Sequence, residues 1–138
     1  MKIHRTTRLL SLFGGAALLL LYLSPAARSA ELSAQDRSFL AGYEQVHVAL
    51  ANDNLTAAKK AAAHLGSDGA ALAKASSLDA ARTEFAKLSD KAAPLTAGQP
   101  GYFVIHCPMA NKDWVQTTEK VSNPYMGKDM TSCGIVKK

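Results

Sequence analysis

The sequence predicts a mainly α fold, a small antiparallel bundle of about three to four helices followed by a small irregular lobe with a short β-hairpin. Three observations predict it. Alanine is concentrated in residues 30–97, with 20 in 68 positions, and only Ala110 follows. Apolar residues in that stretch recur at the three- and four-residue spacing of a helix face. Beyond it, Pro94, Gly98, Pro100 and Gly101 mark a hinge, and a β-prone run, Tyr102-Phe103-Val104-Ile105, begins.

Each element follows from local chemistry. Ser33 is placed to cap a first helix whose third residue is Asp36, with Leu32 outside as a hydrophobic staple. Phe39, Leu40, Tyr43, Val46, His47 and Leu50 then share a face until Asn52-Asp53-Asn54 stops the run. A second helix over residues 56–65 places Leu55, Ala58, Ala62 and Leu65 on one side and ends at Gly66. Residues 67–77 hold a short helical piece between Gly69 and Ser76-Ser77. The last long helix follows Ser77, with Leu78, Ala81, Phe85, Leu88 and Ala92 inward and Arg82, Glu84, Lys87 and Lys91 mostly outward. Alanine favours helix and allows close approach, but each residue buries little area. In the second part, Ile135-Val136 is placed to pair with the run that ends before Pro108. Residues 111–131 read as loop, with one helical turn around Trp114. The organisation expected is a single domain over residues 30–138, with an Ala-rich bundle (30–97) and a Cys/Met-rich lobe (98–138).

Residues 1–29 predict an export signal. A cationic start with Lys2, Arg5 and Arg8 precedes about fifteen mostly apolar residues, and small residues follow Pro25. The apolar run is shorter than the roughly 20 residues of a bilayer-spanning helix. Cleavage is expected after Ser29, giving a periplasmic protein; the chain stays at the membrane only if the signal is uncleaved. The full chain carries 16 Lys and Arg against 11 Asp and Glu. Four of those cations precede residue 30, so the remainder is close to neutral and lacks the basic footprint of a nucleic-acid binder. Two cysteines exclude a disulfide-dense scaffold and a four-thiolate zinc site.

The chemistry-bearing residues gather at one end. Both cysteines, Trp114 and every methionine beyond the initiator lie between Cys107 and Cys133. Thioether and thiolate sulfur are soft donors that favour Cu(I) over hard cations, and a thioether survives where thiols oxidise. The candidate metal ligands are Cys107, Met109, Met130 and Cys133, with Met126 and the imidazole of His106 beside them. Cys107 and Cys133 are equally the pair for a disulfide. In an exported chain it would close a loop of about 25 residues, worth roughly 3 kcal/mol. The two readings coexist, since a disulfide leaves three thioethers and an imidazole. No Cys-x-x-Cys, haem-attachment, phosphate-loop or His-Glu-x-x-His pattern occurs, and no third group orients a Cys–His nucleophile, so no enzyme is expected. His47, beside Tyr43 and Leu50, reads as a satisfied, partly buried imidazole.

The stretch His106-Cys-Pro-Met-Ala110, then Trp114, Asn123-Pro-Tyr-Met-Gly127, Met130 and Cys133-Gly134 resembles the DUF3347 family. This bacterial domain occurs alone in exported proteins or fused to periplasmic adaptor subunits of heavy-metal efflux pumps of the CusB type. Tyr43, Leu50-Ala-Asn-Asp53, Ala81-Arg82, Phe85 and Leu88-Ser89 are similar to its helical half, so the resemblance spans residues 30–138. Position 126 departs from the pattern, carrying Met where a second aromatic is expected. The resemblance implies copper or silver handling, with Cu(I) or Ag(I) as cargo and an efflux adaptor or copper-handling protein as partner. The alternative is a disulfide-stapled periplasmic interaction module without metal.

Overall fold

Ser33 starts the first helix by accepting the Asp36 N–H at 3.0 Å, which satisfies one of the free donors of the first turn. The structure, a computed structural model describing residues 31–137, continues as four helices and a three-stranded sheet. The segment expected as an export signal lies outside the described residues. The helices are α1 (Ala34–Ala51), α2 (Leu55–Ala63), α3 (Ala70–Ala73) and α4 (Leu78–Thr96). Asn54 and Ser77 cap α2 and α4 by accepting the Ala57 and Ala80 N–H groups at 2.9 and 3.1 Å. Pro94, expected in the hinge, lies instead in the last turn of α4, and the helix ends two residues beyond it. Among the described residues, no helix is long and apolar enough to cross a membrane.

The sheet contains β1 (Phe103–Cys107), β2 (Lys112–Gln116) and β3 (Ile135–Val136), in the order β2-β1-β3 with antiparallel pairing throughout. The expected pairing of Ile135-Val136 with the first strand is present, as Ile105↔Val136 and His106↔Ile135. The expected helical turn around Trp114 is not. Trp114 sits in the middle of β2 opposite Ile105, and the turn of 3-10 helix falls at Gly127–Met130. A strand reading Lys-Asp-Trp-Val-Gln between polar flanks has too short an apolar pattern to be told from a loop; β1 supplies its ladder. Asn111, at φ 49°, closes the β1–β2 hairpin.

One core joins the two parts. Tyr43, Val46 and Leu50 of α1 and Ala81, Phe85 and Leu88 of α4 pack in the same buried cluster as Ile105, Cys107, Trp114 and Val115. The lobe expected to be irregular is thus seated on the bundle through β2, with Trp114 and Ile105 fully buried. A buried hydroxyl network crosses that seam. Tyr43 Oη lies 2.8 Å from Ser89 Oγ and accepts the Val115 N–H at 3.1 Å. The Tyr125 hydroxyl donates to the Asp113 carbonyl at 3.0 Å. Burial pushes both phenols well above their ordinary range, so they serve as neutral hydrogen-bonding groups.

Arg82, expected outward, turns inward. Its guanidinium binds Asp53 and donates to the Pro124 carbonyl at 2.9 Å, while Lys128 N–H donates to the other Asp53 oxygen at 3.0 Å. This clamp ties the α1–α2 corner to the Asn-Pro-Tyr-Met-Gly loop. Gly127 lies against it at φ 58°, where any Cβ would collide with the Asp53 carboxylate and the Arg82 guanidinium.

Candidate metal centre

Cys107 is the last residue of β1 and Cys133 immediately precedes the approach to β3. Pairing of β1 with β3 therefore brings the two cysteines to one place although they stand 26 positions apart in the chain. Gly134 completes the approach. A Cβ there would lie 2.7 Å from Ile105 Cγ2 and 2.8 Å from Trp114 Cη2, so only glycine lets this backbone rest on the tryptophan. The result is a Cys107 Sγ to Cys133 Sγ distance of 3.3 Å. That is contact between two free thiols, well beyond the roughly 2.05 Å of a covalent disulfide.

The hairpin tip forms a cradle for one sulfur. Ala110 N–H donates to Cys107 Sγ at 3.4 Å, and the Met109 N–H and the Asn123 amide also point at it. Burial pushes the Cys107 thiol up, but the Ala110 N–H, the Cys133 thiol, Asn123 and the Met109 N–H together bring it below the ordinary thiol value. Cys133 moves the opposite way, raised chiefly by its hydrogen bond to Cys107 and then by burial. Cys107 is thus the first to ionise, with Cys133 as its S–H donor. Cys107 is fully buried and Cys133 partly exposed, so any exchange with solvent or a partner passes by Cys133.

Asn123 organises the surroundings. It is fully buried; its Oδ1 accepts the Tyr125 and Met126 N–H groups at 2.8 and 3.0 Å, and its Nδ2 donates to the Cys133 carbonyl. Its backbone N–H donates to the Thr131 carbonyl at 2.8 Å. One side chain thereby fixes both the Asn-Pro-Tyr-Met-Gly loop and the Cys133 backbone. Asn123 lies in the Asn-Pro-Tyr-Met-Gly stretch without a role that its sequence neighbours define; the loop-forming habit of the Asn-Pro pair is the one signal for it.

The remaining predicted ligands divide. Met109 sits at the hairpin tip with its side chain 63% exposed, and Met130, whose carbonyl accepts the Cys133 N–H at 3.1 Å, is 38% exposed. Both flank the sulfur pair along the backbone and offer thioethers at the surface. Met126 is half-buried against the core. His106 neighbours Cys107 on β1, where successive side chains point to opposite faces. Its Nδ1 lies 2.6 Å from Asp113 Oδ1, and Lys137 binds the other Asp113 oxygen at 2.7 Å. Among the described residues, no group of three or more His, Cys, Asp and Glu is arranged to hold a metal ion.

Comparison with family models, with curated proteins and with solved structures found no match.

Proposed function

We propose that this chain is an exported, periplasmic carrier of a soft monovalent cation, Cu(I) or Ag(I), that serves heavy-metal efflux without catalysing a reaction. The observation that carries this reading is the 3.3 Å approach of Cys107 and Cys133, with N–H donors directed at the Cys107 sulfur. Two thiolates provide a low-coordinate soft site, the donor type that discriminates against Mg(II) and Ca(II). Binding releases the protons that the two thiols hold, since the thiolate is the ligand. Met109 and Met130 are transfer ligands at the rim, and the partly exposed Cys133 is where a partner's sulfur joins. The ion moves by ligand exchange through shared coordination, and an efflux adaptor or another copper-handling protein receives it. Met126 and His106 are outside this inner set. The resemblance of the His106–Ala110 and Asn123–Gly127 stretches to the DUF3347 family points the same way.

The second reading, a metal-free interaction module stapled by a 107–133 disulfide, is favoured by the same sulfur contact, because little movement separates the dithiol from a bond. Titration of the reduced protein with Cu(I) against a chromogenic competitor separates the two. The wild type is expected to withdraw Cu(I) from the competitor, Cys107→Ser to fail, and the Met109→Leu/Met130→Leu pair to keep binding while transferring the ion more slowly. Wild type and Cys107→Ser competing equally poorly would remove the carrier reading.

A further inference from the structure

The sequence reads His47 as a satisfied, partly buried imidazole; the structure buries it fully and leaves one ring nitrogen without a hydrogen bond. The side chain is 2% exposed, and its Nε2 lies 2.6 Å from the Ser122 carbonyl. A carbonyl only accepts, so Nε2 carries the ring hydrogen. In the neutral ring Nδ1 is then a buried acceptor, and it has no hydrogen-bond partner. Facing it at 3.4 Å is Glu44 Oε2, one helical turn earlier on α1 and a second acceptor. Two acceptor atoms this close call for a positive centre near both, a proton on the ring or a bound cation.

We propose that Glu44 and His47 form a second site, separate from the sulfur pair, for a borderline divalent cation of the Zn(II) class. Three features fit. Two ligand atoms each about 2.1 Å from one ion and roughly 109° apart lie about 3.4 Å from each other, the observed separation. The second ring nitrogen donates to a backbone carbonyl, the outer contact that fixes the tautomer of metal-binding histidines. Both side chains line a surface cavity of about 450 Å3 with Thr118, Ser122 and Thr131, so water and hydroxyl oxygens complete the coordination. Glu44 lies at the mouth with 26% of its side chain exposed, and its rotation admits the ion. Imidazole and carboxylate suit a borderline ion, whereas thiolates suit a soft one, so the two sites select different metals. Lys120 also lines the cavity and opposes the ion's charge, which together with only two protein ligands makes this the weaker site. Because Ser122 precedes Asn123, an ion on His47 bears on the loop that holds Cys133.

The test uses the full chain with Cys107→Ser and Cys133→Ser, so that its outcome is independent of the sulfur site. Side-chain nitrogen NMR spectra follow each imidazole separately as ZnCl2 is added. The expected result is a saturable shift of His47 Nδ1 while the Nε2 hydrogen stays in place, with apparent affinity reduced at least tenfold by Glu44→Gln. Lys120→Gln is expected to tighten binding severalfold. Absence of any His47 shift at millimolar Zn(II), a shift confined to His64 or His106, or equal binding by Glu44→Gln overturns the proposal. So does a His47 Nδ1 that holds a proton at pH 7.5 and keeps it under excess Zn(II).

Discussion

Between Ala34 and Thr96 the buried side chains are mostly apolar and recur with the helix, whereas between Phe103 and Val136 two of the fully buried side chains, Gln116 and Asn123, are amides. In the helical half the backbone satisfies itself beyond the capped first turns, so most buried side chains only fill space. The lobe has three short strands and long irregular stretches, whose N–H and C=O groups need partners from elsewhere. Gln116 supplies several: its Nε2 donates to the Thr118 and Lys120 carbonyls, and its Oε1 accepts from Trp114 Nε1 at 2.9 Å and Ser122 N–H at 3.2 Å. Asn123 supplies three more, for the Cys133 carbonyl and the Tyr125 and Met126 N–H groups. The comparison teaches that the helical half spreads its stability over many small contacts, while the lobe concentrates it in a few side chains that also shape the thiol pair.

Substitutions sharpen that contrast. Trp114→Ala empties the junction between lobe and bundle and is expected to cost about 3–5 kcal/mol in urea unfolding. If both parts lose stability together, the single core stands; separate unfolding of the lobe would break it. Asn123→Ala removes three side-chain hydrogen bonds and leaves buried backbone groups unpaired, for an expected loss of about 2–4 kcal/mol. In the helical half, Ala41→Gly on the exposed side of α1 is expected to cost only about 1 kcal/mol. A larger loss there than at Asn123 would reverse the comparison.

The smallest effect lies at the clamp between the two parts. The Lys128 N–H, and after it the Arg82 guanidinium, hold the Asp53 carboxyl below its ordinary value against the opposing push of burial. A carboxyl depressed in the folded state contributes stability that is fully present above the unfolded value of about 3.9. That contribution is lost as pH falls through the lower, folded value. Thermal melts between pH 5 and 2 are expected to show this acid-side loss in the wild type and a shallower one in Asp53→Asn.

The helices were legible because Ser33, Asn54 and Ser77 announce their starts and Phe39, Tyr43, Val46 and Leu50 announce the buried face of α1. The pairing of β1 with β3 was legible from two β-prone runs bounded by proline and glycine. Strand β2 was not, since Asp113 and Gln116 flank its only large apolar residues and the pattern exists only once β1 is beside it. Arg82 read as solvated because the Asp53 and Pro124 groups that bind it lie 29 and 42 residues away. At the candidate centre, clustering of the sulfur residues was visible in the chain. Which of them converge was not, because that depends on Gly134 lying flat on Trp114 and on Asn123 holding the Cys133 backbone.

X-ray absorption at the copper edge of the reduced, Cu(I)-loaded protein tests the central claim most directly. The account predicts a low-coordinate first shell of sulfur dominated by two thiolates, lost in Cys107→Ser and retained when Met126 is replaced by leucine. A shell of nitrogen and oxygen, or one unchanged by Cys107→Ser, would contradict it.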